Sequence, residues 1–545
     1  MSLQPLVIGA IPEETMRVAK AAFPKGNLYL TIGDQIGYLF ADIDWLDLYP
    51  NEGTPAISPA LLSLVTIFQF MEDFPDRSTA EQVCARIDWK YALHLPLEDQ
   101  GFDFSVLSDF RERLISHQAG IRIFERVLER LVELELLSKG GKQRTDATYV
   151  LSKVRDLSRL ELVAETMRLA LEAIAEIAPE WLRQVAQPQW YERYQRLLTT
   201  FRLPRGQQKQ QELAFAIGAD GFYLLEQLET ARTPALEPLA EVQLLALVWS
   251  QQFERTGDQL RWRTPKQMPP GAEQIATPHD PQARHTARKS RSWTGYQVHL
   301  TERCEPNKPH LITDVETQPA TTAEITVLAD IQQRLAQRDL LPADQLVDNG
   351  YIAGHAIVES QKQYGINLIG PVAEDTSWQA RHPDGLTADQ FQIDWQRQQA
   401  ICPEGHPSIY WSEATNEYGQ PVVHIQFPKS RCQSCLARTR CTQAQGTGRT
   451  LHLSLYFEAI VQRRQEQQTD QFKLSYRQRA GIEGTISAAV RTYGARRSRY
   501  IGQSKTTLQE WLIATAINLK RAARWLMGDR PKGTRPPGLA CLAPS

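Results

Sequence analysis

Residues 293–302, WTGYQVHLTE, set Tyr296, Val298 and Leu300 in alternation with Gln297 and His299. A period of two is that of a half-buried strand. The segments that follow have a related texture. HLITDVET (310–317) reads as a second strand and TTAEITVLADIQQRLAQR (321–338) as a helix. DQLVDNGYIAG (344–354) reads as a third strand ending at Asp348, with Asn349-Gly350 making the turn. A helix near 354–363 and INLIGPV (366–372) as a fourth strand complete the pattern. Strands followed by helices in this way predict an α/β domain. Just upstream, DPQARHTARKSRS (280–292) is expected to be a basic loop, with Arg284, His285, Arg288, Lys289 and Arg291.

The remaining chain divides by composition. Residues 1–138 read as a helical domain, with SPALLSLVTIFQFMEDF (58–74) opening on a Ser-Pro cap. Its short helices fit a helix-turn-helix reader of DNA or a dimerisation bundle equally well. GGKQRTDATYVL (140–151) predicts a first strand, within 139–152, carrying Asp146. A helical insertion is expected over 153–275, the core strands and helices over 276–372, and a β-rich, cysteine-containing insertion over 373–450. The last core helices fall in 451–527, and the Pro/Gly-rich tail 528–545 is expected to be disordered.

Seven cysteines in 545 residues do not make a disulfide framework, and the net charge of -2 gives no whole-chain basic field. Any nucleic-acid surface must therefore be a local patch. No stretch is long and apolar enough to span a bilayer, and the first residues lack a signal-peptide pattern. A cytoplasmic protein with no membrane partner is expected.

One patch stands out. Residues 471–505, QFKLSYRQRAGIEGTISAAVRTYGARRSRYIGQSK, hold eight Lys or Arg and a single acid, Glu483. Residues 471–490 read as a helix, with Tyr476, Arg479 and Glu483 on one face. Arg479 and Glu483 could form an ordinary helix pair, or Glu483 could hold a divalent cation beside a phosphate backbone. Metal-assisted phosphodiester chemistry needs two or three converging carboxylates. Asp146 and Asp348, at predicted strands, suit that need, although each could be a cap or turn residue. Asp280, Asp314 and Asp394 are rivals. Cys402, Cys432, Cys435 and Cys441 suit a structural Zn²⁺ ion, with His406 able to replace one thiolate. Cys84, Cys304 and Cys541 stand apart. For DNA contact the candidates are Arg288, Lys289, Tyr476, Arg479, Arg491, Arg496, Arg497 and Arg499, with Trp293, Tyr493 and Tyr500 as stacking platforms.

The chain resembles the DDE insertion-sequence transposases, most closely the family numbered eleven-eighty-two. The resemblance rests on RIDWKYAL (86–93), SVLSDFRERL (105–114), QRTDATYVLSKVR (143–155), LVDNGYIAG (346–354), FQIDW (391–395), CPEG (402–405) and CQSC (432–435). It implies a ribonuclease H-like core in which Asp146, Asp348 and Glu483 hold two Mg²⁺ ions, with Mn²⁺ able to substitute. A related Tyr-x2-Arg-x3-Glu-x6-Lys pattern fits Tyr476, Arg479 and Glu483, but Val490 stands where lysine belongs. Arg491 or Arg496 could substitute there. The implied activity is binding of element ends, strand cleavage and strand transfer to target DNA by a homodimer or higher oligomer. A non-catalytic DNA-binding descendant and a plain metal-dependent nuclease are the alternatives.

Overall fold

The computed structural model describes residues 1–196, 203–231, 236–257, 259–288, 291–416 and 419–530. Lys289, Cys541 and most of the tail (531–545) lie outside the described residues. Strand β1 runs Lys142–Leu151; a hairpin of β2 (Phe253–Thr256) and β3 (Gln259–Trp262) follows much later. Strands β4 (Arg284–Arg288), β5 (Arg291–Arg303), β6 (Ile312–Pro319), β7 (Asp344–Val347) and β8 (Asn367–Ile369) join β1 in a six-stranded sheet. Its order is β4-β5-β1-β7-β8, with β6 also along β5. Strand β5 is antiparallel to β1, β4 and β6, whereas β7 is parallel to both β1 and β8. The fold is mixed α/β.

Two expectations about this sheet need correction. The stretch 284–288 is an edge strand, registered from Arg284↔Gly295 to Arg288↔Arg291, and not a loop. Strand β5 is buried on both faces from Trp293 to Arg303, not half-buried. Its polar side chains find partners on distant elements. Thr301 Oγ1 lies 2.9 Å from Thr145 Oγ1, and His299 Nδ1 lies 2.5 Å from the Tyr351 hydroxyl. The amide of Gln297 donates to Glu324 Oε1 at 2.9 Å. Gly295 is required where β5 crosses the end of β1: its φ is +150°, and a Cβ would stand 2.2 Å from the Val150 carbonyl oxygen.

The helix Pro59–Glu72 starts on Ser58, whose hydroxyl accepts from the Leu61 amide at 3.1 Å. Twelve of its fourteen residues are buried, so it is a core helix with no solvent face. It packs on the C-terminal helix Gln503–Leu526. One buried cluster runs from Phe68 and Phe124 through Val150, Val298 and Val347 to Leu512 and Ile517. The N-terminal helices and the sheet thus share a core.

Between β1 and β4 stand five helices, Arg159–Ile177, Pro179–Val185, Pro188–Tyr194, Gln207–Ala231 and Ala240–Gln252. They build a separate core around Met167, Ile217 and Trp249. The β2–β3 hairpin closes on that core through Phe253 and Trp262, within a stretch read as helical up to Phe253. Beyond β8, strands β9 (Gln392–Asp394) and β10 (Gln399–Ile401) pair, and β11 (Tyr410–Thr415), β12 (Pro421–Gln426) and β13 (Thr450–Ser454) form a three-stranded sheet. Phe391, Val423, Ile425, Phe427, Leu451 and Leu453 are its core.

The segment 471–490 is not one helix. A helix Asp470–Tyr476 passes into a 3₁₀ turn, Arg477–Gly481, before a second helix, Ile482–Tyr493. The cause lies in β1. Arg144 Nη1 takes the Gln478 carbonyl at 2.7 Å, the oxygen that a continuous α-helix gives to the Ile482 amide. That amide bonds to Arg479 instead.

Candidate active site

The register of β1 and β7 pairs Thr145 with Val347. One step further along the two parallel strands come Asp146 and Asp348, on backbones about 4.8 Å apart. Asp146 is 19% exposed; its Oδ1 accepts from the Ala147 amide at 2.8 Å and its Oδ2 from Arg479 Nη1 at 2.9 Å. Burial raises its carboxyl above the usual range, and the charge of Asp348 adds to that. The Ala147 amide and Arg479 oppose the rise. Asp348 caps the turn Asn349–Tyr351, accepting from the Asn349 amide at 2.8 Å. Behind the pair, buried Tyr351 meets His299, whose pKa burial lowers to about 3, so the imidazole is neutral.

Glu483 lies in the first turn of the helix Ile482–Tyr493. Its side chain is exposed and makes no ion pair among the described residues. The Arg479–Glu483 helix pair does not form, because Arg479 reaches back to Asp146 and the 3₁₀ turn breaks the shared face. Two of the three candidate carboxylates are therefore brought together, with the third on the neighbouring helix. Among the described residues no three His, Cys, Asp or Glu side chains are arranged to hold a metal ion.

The rival aspartates are occupied elsewhere. Buried Asp280 accepts from Ser152 and from the Tyr296 hydroxyl at 2.6 Å. Asp314 takes Arg334 at 2.9 and 2.8 Å and Arg338 at 2.7 Å. Asp394 caps a turn through the amides of Gln396 and Arg397.

The basic candidates fall into two groups. Arg491 and Arg497 are exposed and have no ion-pair partner among the described residues. The others have neighbours. Arg496 Nε donates to Thr148 Oγ1 at 3.0 Å and its guanidinium lies 4.4 Å over the Tyr149 ring. Arg499 is tied to Asp73 and the Phe74 carbonyl, and Arg288 to Glu324 and Gln297. The ring of Tyr476 stacks on Phe472 at 5.8 Å. Trp293 and Tyr493 are buried and Tyr500 packs against Arg111, so these three are core aromatics rather than open platforms.

Cys402, Cys432, Cys435 and Cys441 line one pocket with His406 and Arg449. The His406 amide points at Cys402 Sγ (3.3 Å) and the Arg449 amide at Cys432 Sγ (3.4 Å). Burial pushes the Cys441 thiol up to about 11; Arg449 opposes this and the other three cysteines add to it. The buried Arg449 Nε has no hydrogen-bond partner among the described residues.

Two charged residues of the strands escaped the sequence reading: Arg144, two residues before Asp146, and Glu302, opposite it on β5. The available signal was charge at inward positions of strands that are otherwise apolar or hydroxylic.

The Transposase DDE domain family matches residues 401–523, which take in the cysteine pocket, Tyr476, Arg479 and Glu483. A second family, a transposase domain (DUF772), matches residues 17–113 in the N-terminal helices. No curated protein and no solved structure matches the chain. Neither family match carries the number eleven-eighty-two, so the assignment stops at the class. With transposase domains matched in both its N-terminal and C-terminal parts, one of them of the DDE type, the chain is a DDE insertion-sequence transposase, and its partner is DNA.

Proposed function

We propose that this transposase cuts the ends of its insertion sequence and joins the freed 3′-hydroxyls to target DNA, with Asp146, Asp348 and Glu483 as its metal-holding carboxylates on a ribonuclease H-like core. The observation that carries this reading is the parallel register of β1 and β7, in which Asp146 and Asp348 stand side by side on a half-buried edge. The donor set is all carboxylate oxygen, which suits Mg²⁺, or Mn²⁺ in its place. A pair of such ions supplies charge neutralisation at the phosphate and activation of the attacking oxygen. Arg479 neutralises Asp146 within the protein alone, so metal loading at Asp146 involves loosening that ion pair. Arg491 and Arg497, exposed and unpaired among the described residues, are the first candidates to neutralise phosphates. Tyr476, Arg496 and the 284–291 hairpin, with Arg288 and Lys289, extend that surface. Arg499 joins it on release of Asp73. The N-terminal helices serve end binding or dimerisation, and two element ends call for a homodimer or larger assembly.

A second metal fits the cysteine pocket. Cys402, Cys432, Cys435 and Cys441 would hold a structural Zn²⁺. Amide N–H groups aimed at two of the sulfurs support this, as does a buried guanidinium nitrogen that four thiolates would satisfy.

The test is incubation of labelled element ends with a supercoiled target and Mg²⁺. The expected products are cut ends and ends joined to target through their 3′-hydroxyls. Cutting without joining identifies a plain nuclease, and binding without cutting a non-catalytic descendant.

A further inference from the structure

We infer that Glu302 is a positioning residue for the active site: its buried carboxylate, working through Arg144 and Thr485, fixes the helix carrying Glu483 against the strand carrying Asp146. This rests on the reading of Asp146, Asp348 and Glu483 as the metal-holding carboxylates.

Glu302 is 0% exposed and faces Arg144, itself only 4% exposed, across the β1–β5 register. Its Oε1 takes Arg144 Nε at 2.7 Å and Nη2 at 2.6 Å. Its Oε2 takes the Thr485 hydroxyl at 2.5 Å and Arg521 Nη1 at 3.0 Å. Arg521 Nη2 reaches the same Thr485 hydroxyl at 2.7 Å. Held in this way, Arg144 turns Nη1 to the Gln478 carbonyl. The contact is close enough that a Cβ on Gly481 would stand 2.0 Å from Nη1.

The two ties, at Gln478 and at Thr485, bracket Glu483. The exposed Glu483 side chain makes no polar contact of its own, so its place relative to Asp146 is set by the backbone that these ties hold. Arg144, Asp146 and Thr148 share one face of β1 and meet Gln478, Arg479 and Arg496 in turn. Stability alone does not explain the network, because well-packed apolar residues commonly replace a buried ion pair without loss. What a fully bonded carboxylate with two guanidiniums adds is a defined geometry. Catalysis is sensitive to that: a shift of about 1 Å can lower a rate about a hundredfold.

The test uses full-length Thr485→Val, Thr485→Ser and Glu302→Gln, measuring thermal midpoint, end-DNA affinity, and single-turnover cleavage across Mg²⁺ concentrations. Thr485→Val keeps the side-chain shape and so the fold. It is expected to bind ends within about twofold of wild type, cut about 10- to 100-fold more slowly and need several-fold more Mg²⁺ for half-maximal rate. Thr485→Ser, which restores the hydroxyl, is expected to recover most of the loss. Glu302→Gln should act in the same direction with a lower midpoint, since Arg144 and Arg521 lose their anion. If Thr485→Val and the folded fraction of Glu302→Gln cut at the wild-type rate with the wild-type Mg²⁺ requirement, Glu302 is only structural and the inference is overturned. A Glu483→Gln protein that cuts normally instead removes the metal reading, and this inference with it.

Discussion

Alanine at Asp348 is expected to slow end cleavage about a thousandfold, roughly 4 kcal/mol of transition-state stabilisation, while end binding stays near wild type. The size follows from its role. A carboxylate that helps hold the ions contributes nothing that water can replace in fixed geometry. Its structural duty is small by comparison: Asp348 accepts one amide, from Asn349, and losing such a cap costs about 1 kcal/mol. Asp146 is the harder case. Its removal strands Arg479, whose side chain is only 16% exposed, and an unpaired, partly buried cation lowers stability as well. Asp146→Asn preserves the shape and accepts the Ala147 amide, so it separates catalysis from folding. Single-turnover cleavage with a parallel gel-shift measurement decides both cases. A variant that cuts within tenfold of wild type does not bear a metal-holding residue.

The second large effect is expected in the cysteine pocket. Replacing Cys435 by serine, or treating the protein with a chelator, should remove about one equivalent of zinc and open residues 373–450 to proteases. Structural zinc in small finger peptides contributes about 10–16 kcal/mol, effectively all of their stability. Here the effect is smaller and local, because Phe391, Val423, Phe427 and Leu453 already form an apolar core beside the pocket. Metal binding must displace the thiol protons, which burial holds on Cys441 up to about pH 11. Zinc affinity is therefore expected to fall as pH is lowered. A purified protein without zinc, whose protease pattern is the same after Cys435→Ser, removes the metal from this pocket.

The sequence revealed individual strands more readily than the site they build. Alternation made β5 visible, and the glycines before β1 marked its start. What makes β1 and β7 neighbours is a parallel pairing between segments separated by the whole helical insertion, and no local pattern encodes such a pairing. The same remoteness explains the misjudged burial of β5: Gln297, His299 and Thr301 look solvent-facing until Glu324, Tyr351 and Thr145 cover them. The break at Arg477–Gly481 was invisible because nothing in QRAGIEG forbids a helix; a guanidinium from β1 takes the carbonyl that would continue it. The β2–β3 hairpin was legible and overlooked, since FERT and QLRW flank a two-residue Gly-Asp link. At the site, motif resemblance pointed to Asp146, Asp348 and Glu483. The adjacency of the two aspartates, the Asp146–Arg479 pair and the Glu302 network required the assembled sheet.

Ferrous ion bound in place of Mg²⁺, with ascorbate and peroxide, cuts the polypeptide where it sits. If Asp146, Asp348 and Glu483 hold the catalytic ions, cuts will cluster next to residues 146, 348 and 483, fade with excess Mg²⁺, and disappear in Asp348→Ala. Cuts that fall elsewhere, or that ignore both Mg²⁺ and the substitution, would contradict that assignment.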